Sequence, residues 1–315
     1  MAKTSAAPRP ITLRDLAQRP ERLSGGHRLC AGCGHSIIVR QVLHATEDPV
    51  VVANATGCLE VATTIYPYTA WRTPWVHTAF ENAAATLSGV EAAYRALRRG
   101  GQVQENIKFV AFGGDGGTYD IGFQSLSGAM ERRHNLLYVC LNNEGYMNTG
   151  IQRSSATPRG ADTTTSPVGE VQPGKPVNRK DLTEIMVAHN LPYVAQSAPH
   201  DWRDITKKAA KAFGTTGPTF LNVLSPCPRG WRADTAQTIE LARLAAETCY
   251  WPLYEVEQGK YRLTYQPKKK LPLADWLKPQ ARFKHLFLPQ NEGLLEELQK
   301  DVDQRWEALL AKCSS

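Results

Sequence analysis

Residues 107–145 read IKFVAFGGDGGTYDIGFQSLSGAMERRHNLLYVCLNNEG. Ile107 to Phe112 is a β-rich apolar run that stops at Gly113-Gly114-Asp115-Gly116-Gly117. Gly122 to Arg132 has helical spacing. Leu136 to Leu141 is a second buried run, and it ends at Asn142-Asn143-Glu144-Gly145. Strand, glycine-rich turn, helix and strand make a βαβ unit, and repetition of that unit gives a mostly parallel sheet with helices on both faces. The flanking sequence repeats it. Val50 to Ala53 is an apolar run ending at Asn54-Ala55-Thr56-Gly57-Cys58, Tyr193 to Ala195 is a short strand, and Thr219 to Leu224 is a run ending at Ser225-Pro226-Cys227-Pro228. Apolar residues recur at helical spacing over Ser36–Ala45, Glu81–Leu97, Lys180–His189, Asp201–Phe213 and Thr238–Thr248. The fold class is α/β.

Residues 1–25 are polar with scattered Pro and Arg and read as an extended N-terminal arm. Residues 26–235 hold the βαβ pattern. Residues 236–315 are a C-terminal extension expected to pack on the core or on a partner subunit. They contain an aperiodic stretch, 251–290, rich in Pro, Lys and aromatics, and an amphipathic terminal helix over Asn291–Lys312. Residues 151–180, dense in Ser, Thr, Pro and Gly, read as a long loop, and such loops tend to be functional.

The chain has 315 residues, 42% hydrophobic and 21% charged, an ordinary globular balance that excludes collagen, coiled coil and wholesale disorder. No stretch approaches the ~20 apolar residues of a membrane helix. The first residues lack an apolar core followed by a small-residue cleavage site, so a cytoplasmic location is expected. The net charge of +7 is compatible with nucleic acid, a membrane surface or an acidic protein. The bases form no long run. Arg98-Arg99 and Lys268-Lys269-Lys270 are the densest clusters, read as solvated surface or as a face for an acidic partner, with neither nucleic acid nor membrane expected.

Seven cysteines, an odd number, argue against a disulfide framework. Cys30 and Cys33 lie in L-C-A-G-C-G-H, Cys58 follows one strand and Cys227 another. Loops after the C-termini of parallel strands gather on one edge, where ligands bind, so these four can converge. Four thiolates about one centre mean zinc or an iron–sulfur cluster. The other reading makes Cys58 and Cys227 small buried apolar groups and Cys30/Cys33 a redox dithiol or half a zinc knuckle, and spacing leaves both open. Cys140, Cys249 and Cys313 are assigned to packing.

Asp115 offers a carboxylate at a strand end, with glycines that let backbone amides approach a phosphate. Asn143 offers an amide oxygen at the next strand end. With a backbone carbonyl and diphosphate oxygens these give an octahedral Mg²⁺ site. The competing reading is two unrelated polar turns. A Rossmann site fits less well, because G-G-D-G-G-T lacks G-x-G-x-x-G.

The Gly-Asp-Gly…Asn-Asn unit resembles the thiamine diphosphate motif. With G-D-G-G-T-Y-D-I-G, N-N-E-G-Y-M-N-T-G-I-Q-R-S-S-A-T-P, L-C-A-G-C-G-H, T-G-C and S-P-C-P-R-G-W-R, it looks like the β subunit of the 2-oxoacid:ferredoxin oxidoreductases. The most similar type is pyruvate:ferredoxin oxidoreductase (pyruvate synthase), over roughly residues 25–290. The resemblance implies a thiamine diphosphate-binding, diphosphate-half fold over 26–235. It implies a 4Fe–4S cluster on Cys30, Cys33, Cys58 and Cys227, and Mg²⁺ on Asp115, the Asn143 side chain and the Gly145 carbonyl. Gly57, Cys58, Gly114, Gly116 and Tyr146 fall around the cofactor, and Asn148 and Thr149 near the thiazolium and the substrate. Arg153 and His35 are less determined: Arg153 pairs with a carboxylate or the diphosphate, or makes an ordinary salt bridge, and His35 meets a cluster sulfur or simply sits in the core. Trp231 and Trp251 read as core. Relatives often carry Asp-Asn where this chain has Asn142-Asn143.

The implied activity is oxidative decarboxylation of a 2-oxoacid, most simply pyruvate to acetyl-CoA and CO₂, reversibly. Coenzyme A is the co-substrate, and electrons pass through the cluster to ferredoxin. Oxalate, branched-chain and aryl 2-oxoacids are alternative substrates, and a non-catalytic Cys₄ metal scaffold is the alternative from another class. The implied partners are α/γ/δ-type subunits, one bringing the glutamate that activates the aminopyrimidine and one bringing ferredoxin-like clusters, so the chain alone is expected to be inactive.

Overall fold

The structure is a computed structural model that describes residues 11–314. Its strands are β1 (Val50–Ala55), β2 (Trp75–Thr78), β3 (Lys108–Gly114), β4 (Leu137–Asn142), β5 (Tyr193–Ser197), β6 (Thr219–Leu224), β7 (Tyr254–Glu257) and β8 (Lys260–Leu263). They form one sheet in the order β2-β1-β3-β4-β6-β5-β7-β8. The first six are mutually parallel, while β7 and β8 join antiparallel at one edge. The central strands are continuous apolar runs because both faces are covered, and β4 and β6 are buried along their whole length.

The helices are α1 (Leu13–Gln18), α2 (Gly34–Leu43), α3 (Cys58–Thr63), α4 (Ala83–Arg99), α5 (Phe123–Glu131), α6 (Leu182–Ala188), α7 (Trp202–Gly214), α8 (Pro228–Trp231), α9 (Thr238–Glu247), α10 (Leu273–Leu277) and α11 (Glu292–Ser314). Side chains alternate across the strands. Val52, Val110, Phe112, Val139 and Val223 pack with Ile38 and Val42 of α2 and Ile205 and Ala209 of α7. Ala53, Ala111, Tyr138, Cys140 and Phe220 face α4, α5 and α6 through Leu87, Leu126, Met130 and Met186. A third cluster gathers Trp231, Trp251, Trp276 and Phe283 with α9, α10 and α11 at the end beyond β4 and β6. Trp231 and Trp251 are buried there, as expected of core residues. The chain steps to β2 on one side of β1 and to β3 on the other, which puts a topological switch point at the C-terminal ends of β1 and β3.

The structure corrects the local reading in several places. The segment read as an extended arm carries α1, because Thr12 and Asp15 form a reciprocal capping box; residues 1–10 lie outside the described residues. The arm is fastened rather than loose: Arg22 donates to the carbonyls of Leu43, Thr46, Glu47 and Asp48, and Leu23 is buried beside Trp71. The aperiodic stretch contains the β7–β8 hairpin. Its turn residues Gln258 and Gly259 both have positive φ, as tight hairpins of this hand require. A π-helical turn, Gly116–Ile121, intervenes between β3 and α5.

Candidate active site

The loops after β1, β3 and β4 enclose one crevice at the switch point. Its walls include Asn54, Thr56, Gly57, Cys58, Gly114, Gly116, Asn143, Gly145, Tyr146, Asn148 and Thr149. Gly57 has φ +156° and ψ −170°, backbone that is essentially restricted to glycine. A Cβ at Gly57 or Gly114 would meet no atom within 4 Å, whereas one on Gly116 would lie 2.3 Å from the Tyr146 ring. Gly57 and Gly114 therefore leave an open cradle, while Gly116 is needed for the close approach of Tyr146, whose hydroxyl donates to the Gly116 carbonyl (2.9 Å).

Asp115 is fully buried at the end of β3. Its Oδ1 accepts from the Asn143 backbone N–H (3.2 Å) and its Oδ2 from Ser154 Oγ (2.5 Å). Burial pushes the carboxyl up to about 7 despite these hydrogen bonds, and the charge of Glu144 adds to the rise. A carboxylate in this position calls for a cation. The Asn143 side-chain amide reaches both neighbours: with its nitrogen turned toward them it donates to the Gly145 carbonyl (2.8 Å) and to Asp115 Oδ1 (2.8 Å). Asp115, the Asn143 amide and the Gly145 carbonyl thus meet at one point of the crevice, and each carries an oxygen of the kind a hard divalent cation takes. The other end of the amide faces His35 Nε2 at 3.4 Å. Burial lowers the His35 pKa to about 4, so the imidazole is neutral, and Nε2 meets the amide as donor or acceptor according to its tautomer.

Asn142 does not face the crevice. Its Nδ2 donates to the Tyr119 hydroxyl (2.9 Å), and its Oδ1 accepts from the Glu144 N–H (3.1 Å). An aspartate there would keep the second bond and lose the donor of the first. Asn54 Nδ2, on the crevice wall, is buried and finds no partner among the described residues. An open glycine cradle, a free amide donor and the meeting of Asp115, Asn143 and the Gly145 carbonyl fit a diphosphate held through a divalent cation.

A second cavity, of about 180 Å³, adjoins the first and is lined by Cys30, Cys33, Cys58 and Cys227. The two cavities share His35, Cys58, Asn143 and Asn148. The Cys-x-x-Cys loop is held from outside the strands. Gly32 has φ +71°, and a Cβ there would lie 2.2 Å from the Thr235 carbonyl oxygen; Thr238 Oγ1 also donates to the Gly32 carbonyl. Cys227 Sγ accepts from the Gly230 N–H (3.3 Å). Burial pushes the Cys33 and Cys58 thiols up to about 12, with neighbouring cysteines acting in the same direction. Among the described residues, no three His, Cys, Asp or Glu side chains close on one point as a single metal ion requires. The four cysteines instead line one cavity. Cys140 and Cys249 are buried in packing, and Cys313 lies partly buried on α11.

Asn148 and Thr149 are exposed at the crevice mouth. Arg153 stands with Thr149 and Tyr146 on the open side of that mouth. Sequence reasoning missed Asn54, Glu144, Ser154 and the Trp231 indole, whose Nε1 donates to the Asn143 carbonyl (2.8 Å). Only Asn54, placed directly after an apolar run, carried a local signal.

The fold and the crevice define a thiamine-dependent enzyme of the parallel-sheet type. Residues 55–223 match the family described as thiamine pyrophosphate enzyme, C-terminal TPP binding domain. The pyruvate synthase subunit PorB of Thermotoga maritima is 52% identical over 312 residues, 96% of each chain. The ketoisovalerate oxidoreductase subunit VorB of Pyrococcus abyssi is 43% identical over 291 residues, 92% of each. The chain belongs to the β-subunit family of the 2-oxoacid:ferredoxin oxidoreductases, of the pyruvate synthase type. A solved 2-oxoglutarate:ferredoxin oxidoreductase from Magnetococcus marinus, 22% identical, shares the fold with a TM-score of 0.54 over 72% of this chain and 80% of that one. No helix among the described residues is long and apolar enough to cross a membrane.

Proposed function

We propose that this chain is the catalytic β subunit of a pyruvate:ferredoxin oxidoreductase, binding thiamine diphosphate through Mg²⁺ in the crevice and one 4Fe–4S cluster among Cys30, Cys33, Cys58 and Cys227. The observation that carries the reading is the meeting of Asp115, the Asn143 amide and the Gly145 carbonyl, with 2.8 Å from the amide to each of the other two, in a crevice that shares a wall with four cysteines. When bound, the cofactor supplies the nucleophilic carbon that adds to a 2-oxoacid ketone and a ring that accepts the electrons left as CO₂ departs, and the cluster supplies a one-electron acceptor. Asp115, the Asn143 amide and the Gly145 carbonyl hold the cation. His35 touches the far end of the amide. Gly57 and Gly114 leave room for diphosphate oxygens, and Asn54 offers them a donor. Asn148 and Thr149, at the mouth, meet the substrate, and Cys58 and Asn148 belong to both cavities, which keeps the path between them short.

Coenzyme A takes the acyl group, and ferredoxin receives the electrons through a partner subunit carrying further clusters. Another partner brings the glutamate that activates the aminopyrimidine. A second substrate reading, a branched-chain 2-oxoacid, draws on the 43% identity to a ketoisovalerate oxidoreductase subunit. A non-catalytic Cys₄ scaffold gives no reason for Asp115, Asn143 and Gly145 to meet beside an open glycine cradle. The test uses the complex purified natively and anaerobically with its partners. Reduction of a low-potential acceptor is followed with coenzyme A and, in turn, pyruvate, oxalate or 3-methyl-2-oxobutanoate. Pyruvate-dependent, coenzyme A-dependent reduction is expected. Faster reduction with the branched-chain acid, or reduction with oxalate and no need for coenzyme A, replaces pyruvate as substrate. No reduction with any of them overturns the proposal.

A further inference from the structure

Glu144 stands between two residues whose oxygens face the cation position, and it is built unlike a turn residue. Its φ is +67°, a left-handed conformation that non-glycine residues adopt at a cost, and its side chain is completely buried. A glycine or asparagine would serve such a backbone better, so the carboxylate itself needs a reason.

The reason lies in chain segments far away in sequence. Glu144 Oε2 accepts from Arg282 Nη2 at 2.5 Å, and Oε1 accepts from the Tyr250 hydroxyl at 2.5 Å. Arg282 is itself buried. Its Nε and Nη2 donate to Gln280 Oε1 at 3.0 and 2.7 Å, and its guanidinium lies 4.3 Å from the centroid of the Trp231 ring. Gln280 is fixed in turn by donating to the Trp276 carbonyl (2.6 Å). Tyr250 stacks on the Trp276 ring at 3.9 Å between centroids. The Trp231 indole then returns to the loop and donates to the Asn143 carbonyl (2.8 Å). On the other side the Glu144 carbonyl accepts from Thr157 Oγ1 (2.7 Å) and its N–H donates to Asn142 (3.1 Å).

Every polar group of Glu144 is thus spoken for, and the two side-chain partners both come from residues 236–315. We infer that Tyr250 and Arg282 are positioning residues for the cation site: the C-terminal extension grips Glu144 and thereby sets where the Asn143 amide and the Gly145 carbonyl point. Side chains that orient metal ligands typically change metal affinity 10–100-fold when removed. A buried charge pair is also the kind of contact in which loss of one partner is costly, while replacement of both can leave stability nearly unchanged. That difference separates a positioning role from a merely structural one.

The inference rests on the cation-dependent cofactor site proposed above. The experiment uses the natively purified complex, stripped with chelator and titrated with Mn²⁺ under saturating thiamine diphosphate, with free Mn²⁺ read by electron paramagnetic resonance. Three forms are compared: wild type, Tyr250→Phe, and the paired replacement Glu144→Gln with Arg282→Met. The expected result is tenfold or greater weakening of Mn²⁺ binding in the paired replacement, with iron content and thermal midpoint near wild type, and severalfold weakening in Tyr250→Phe, with iron content unchanged and a lowered thermal midpoint, because the buried Glu144 carboxylate loses one of its two side-chain donors. Wild-type Mn²⁺ affinity in Tyr250→Phe and in the paired replacement overturns the inference, as does weakening in the paired replacement that appears only together with a lowered thermal midpoint. If the paired replacement does not assemble, the Mn²⁺ affinity of Tyr250→Phe in an iron-replete complex decides alone, and a wild-type value there overturns the inference. Absence of thiamine diphosphate-dependent Mn²⁺ binding in the wild-type complex is a different outcome and overturns the cofactor-site proposal itself.

Discussion

Asp115 is the residue on which the site turns, because a fully buried carboxyl with two hydrogen bonds is still short of the charge it needs. Asp115→Asn removes that charge while keeping the shape. The expected outcome is at least a hundredfold weaker thiamine diphosphate-dependent Mn²⁺ binding by the complex, with its iron and sulfide unchanged, a magnitude beyond that of ligand-orienting groups. Asp115 and Asn143 were legible in the sequence because each directly follows an apolar run in a parallel-sheet pattern, which places both on one edge. Their supports were not. Ser154 is 39 residues from Asp115, and Arg282 is 138 residues from Glu144; no local pattern links positions so far apart. Trp231 shows another limit, since it is a core residue, as read, and also a hydrogen-bond donor to the Asn143 carbonyl in the loop after β4.

At the scale of elements, what could be read depended on how far local pattern outran tertiary context. The buried parallel strands β1, β3, β4 and β6 and the helices α2, α4, α7 and α9 are long periodic or continuous apolar segments, and their sequence windows named them. The four-residue edge strand β2 and the hairpin β7–β8 carry charges or lie beside a proline, so they earn their strand geometry from pairing. The hairpin's anchor is Glu255, buried on β7 and ion-paired to Lys211 and Arg262. Burial pushes its carboxyl upward, but hydrogen bonds from Tyr193, Arg262 and Lys211 outweigh that and hold it at about 2, against an ordinary 4.5. A lowered acid pKa stabilises the folded state fully above the ordinary value, and the contribution fades as pH falls from about 4.5 to about 2. Hydrogen exchange at the β7 and β8 amides in the complex is therefore expected to quicken as pH drops through that window, after correction for intrinsic rates. Glu255→Gln is expected to quicken it at neutral pH and flatten the dependence. An unchanged protection pattern in Glu255→Gln removes Glu255 as the anchor.

For the whole molecule, the sheet gathers two chemistries on one edge. The loops after β1, β3 and β4 make the crevice, and the loop after β6 brings Cys227 to the cysteines of the segment before α2 and of α3. The C-terminal extension then reaches both, Thr238 at the Cys-x-x-Cys loop and Tyr250 and Arg282 at Glu144 in the loop after β4. The proposed cluster stands beside the proposed cofactor crevice yet is built from separate ligands. This is measured as iron, acid-labile sulfide and thiamine diphosphate content, with electron paramagnetic resonance of the reduced state, for the native complex and for the same complex carrying Cys33→Ala with Cys227→Ala. Loss of about four iron atoms and one 4Fe–4S signal per β chain, with thiamine diphosphate still bound, is expected. Full iron content and an unchanged spectrum in the doubly substituted complex would contradict it.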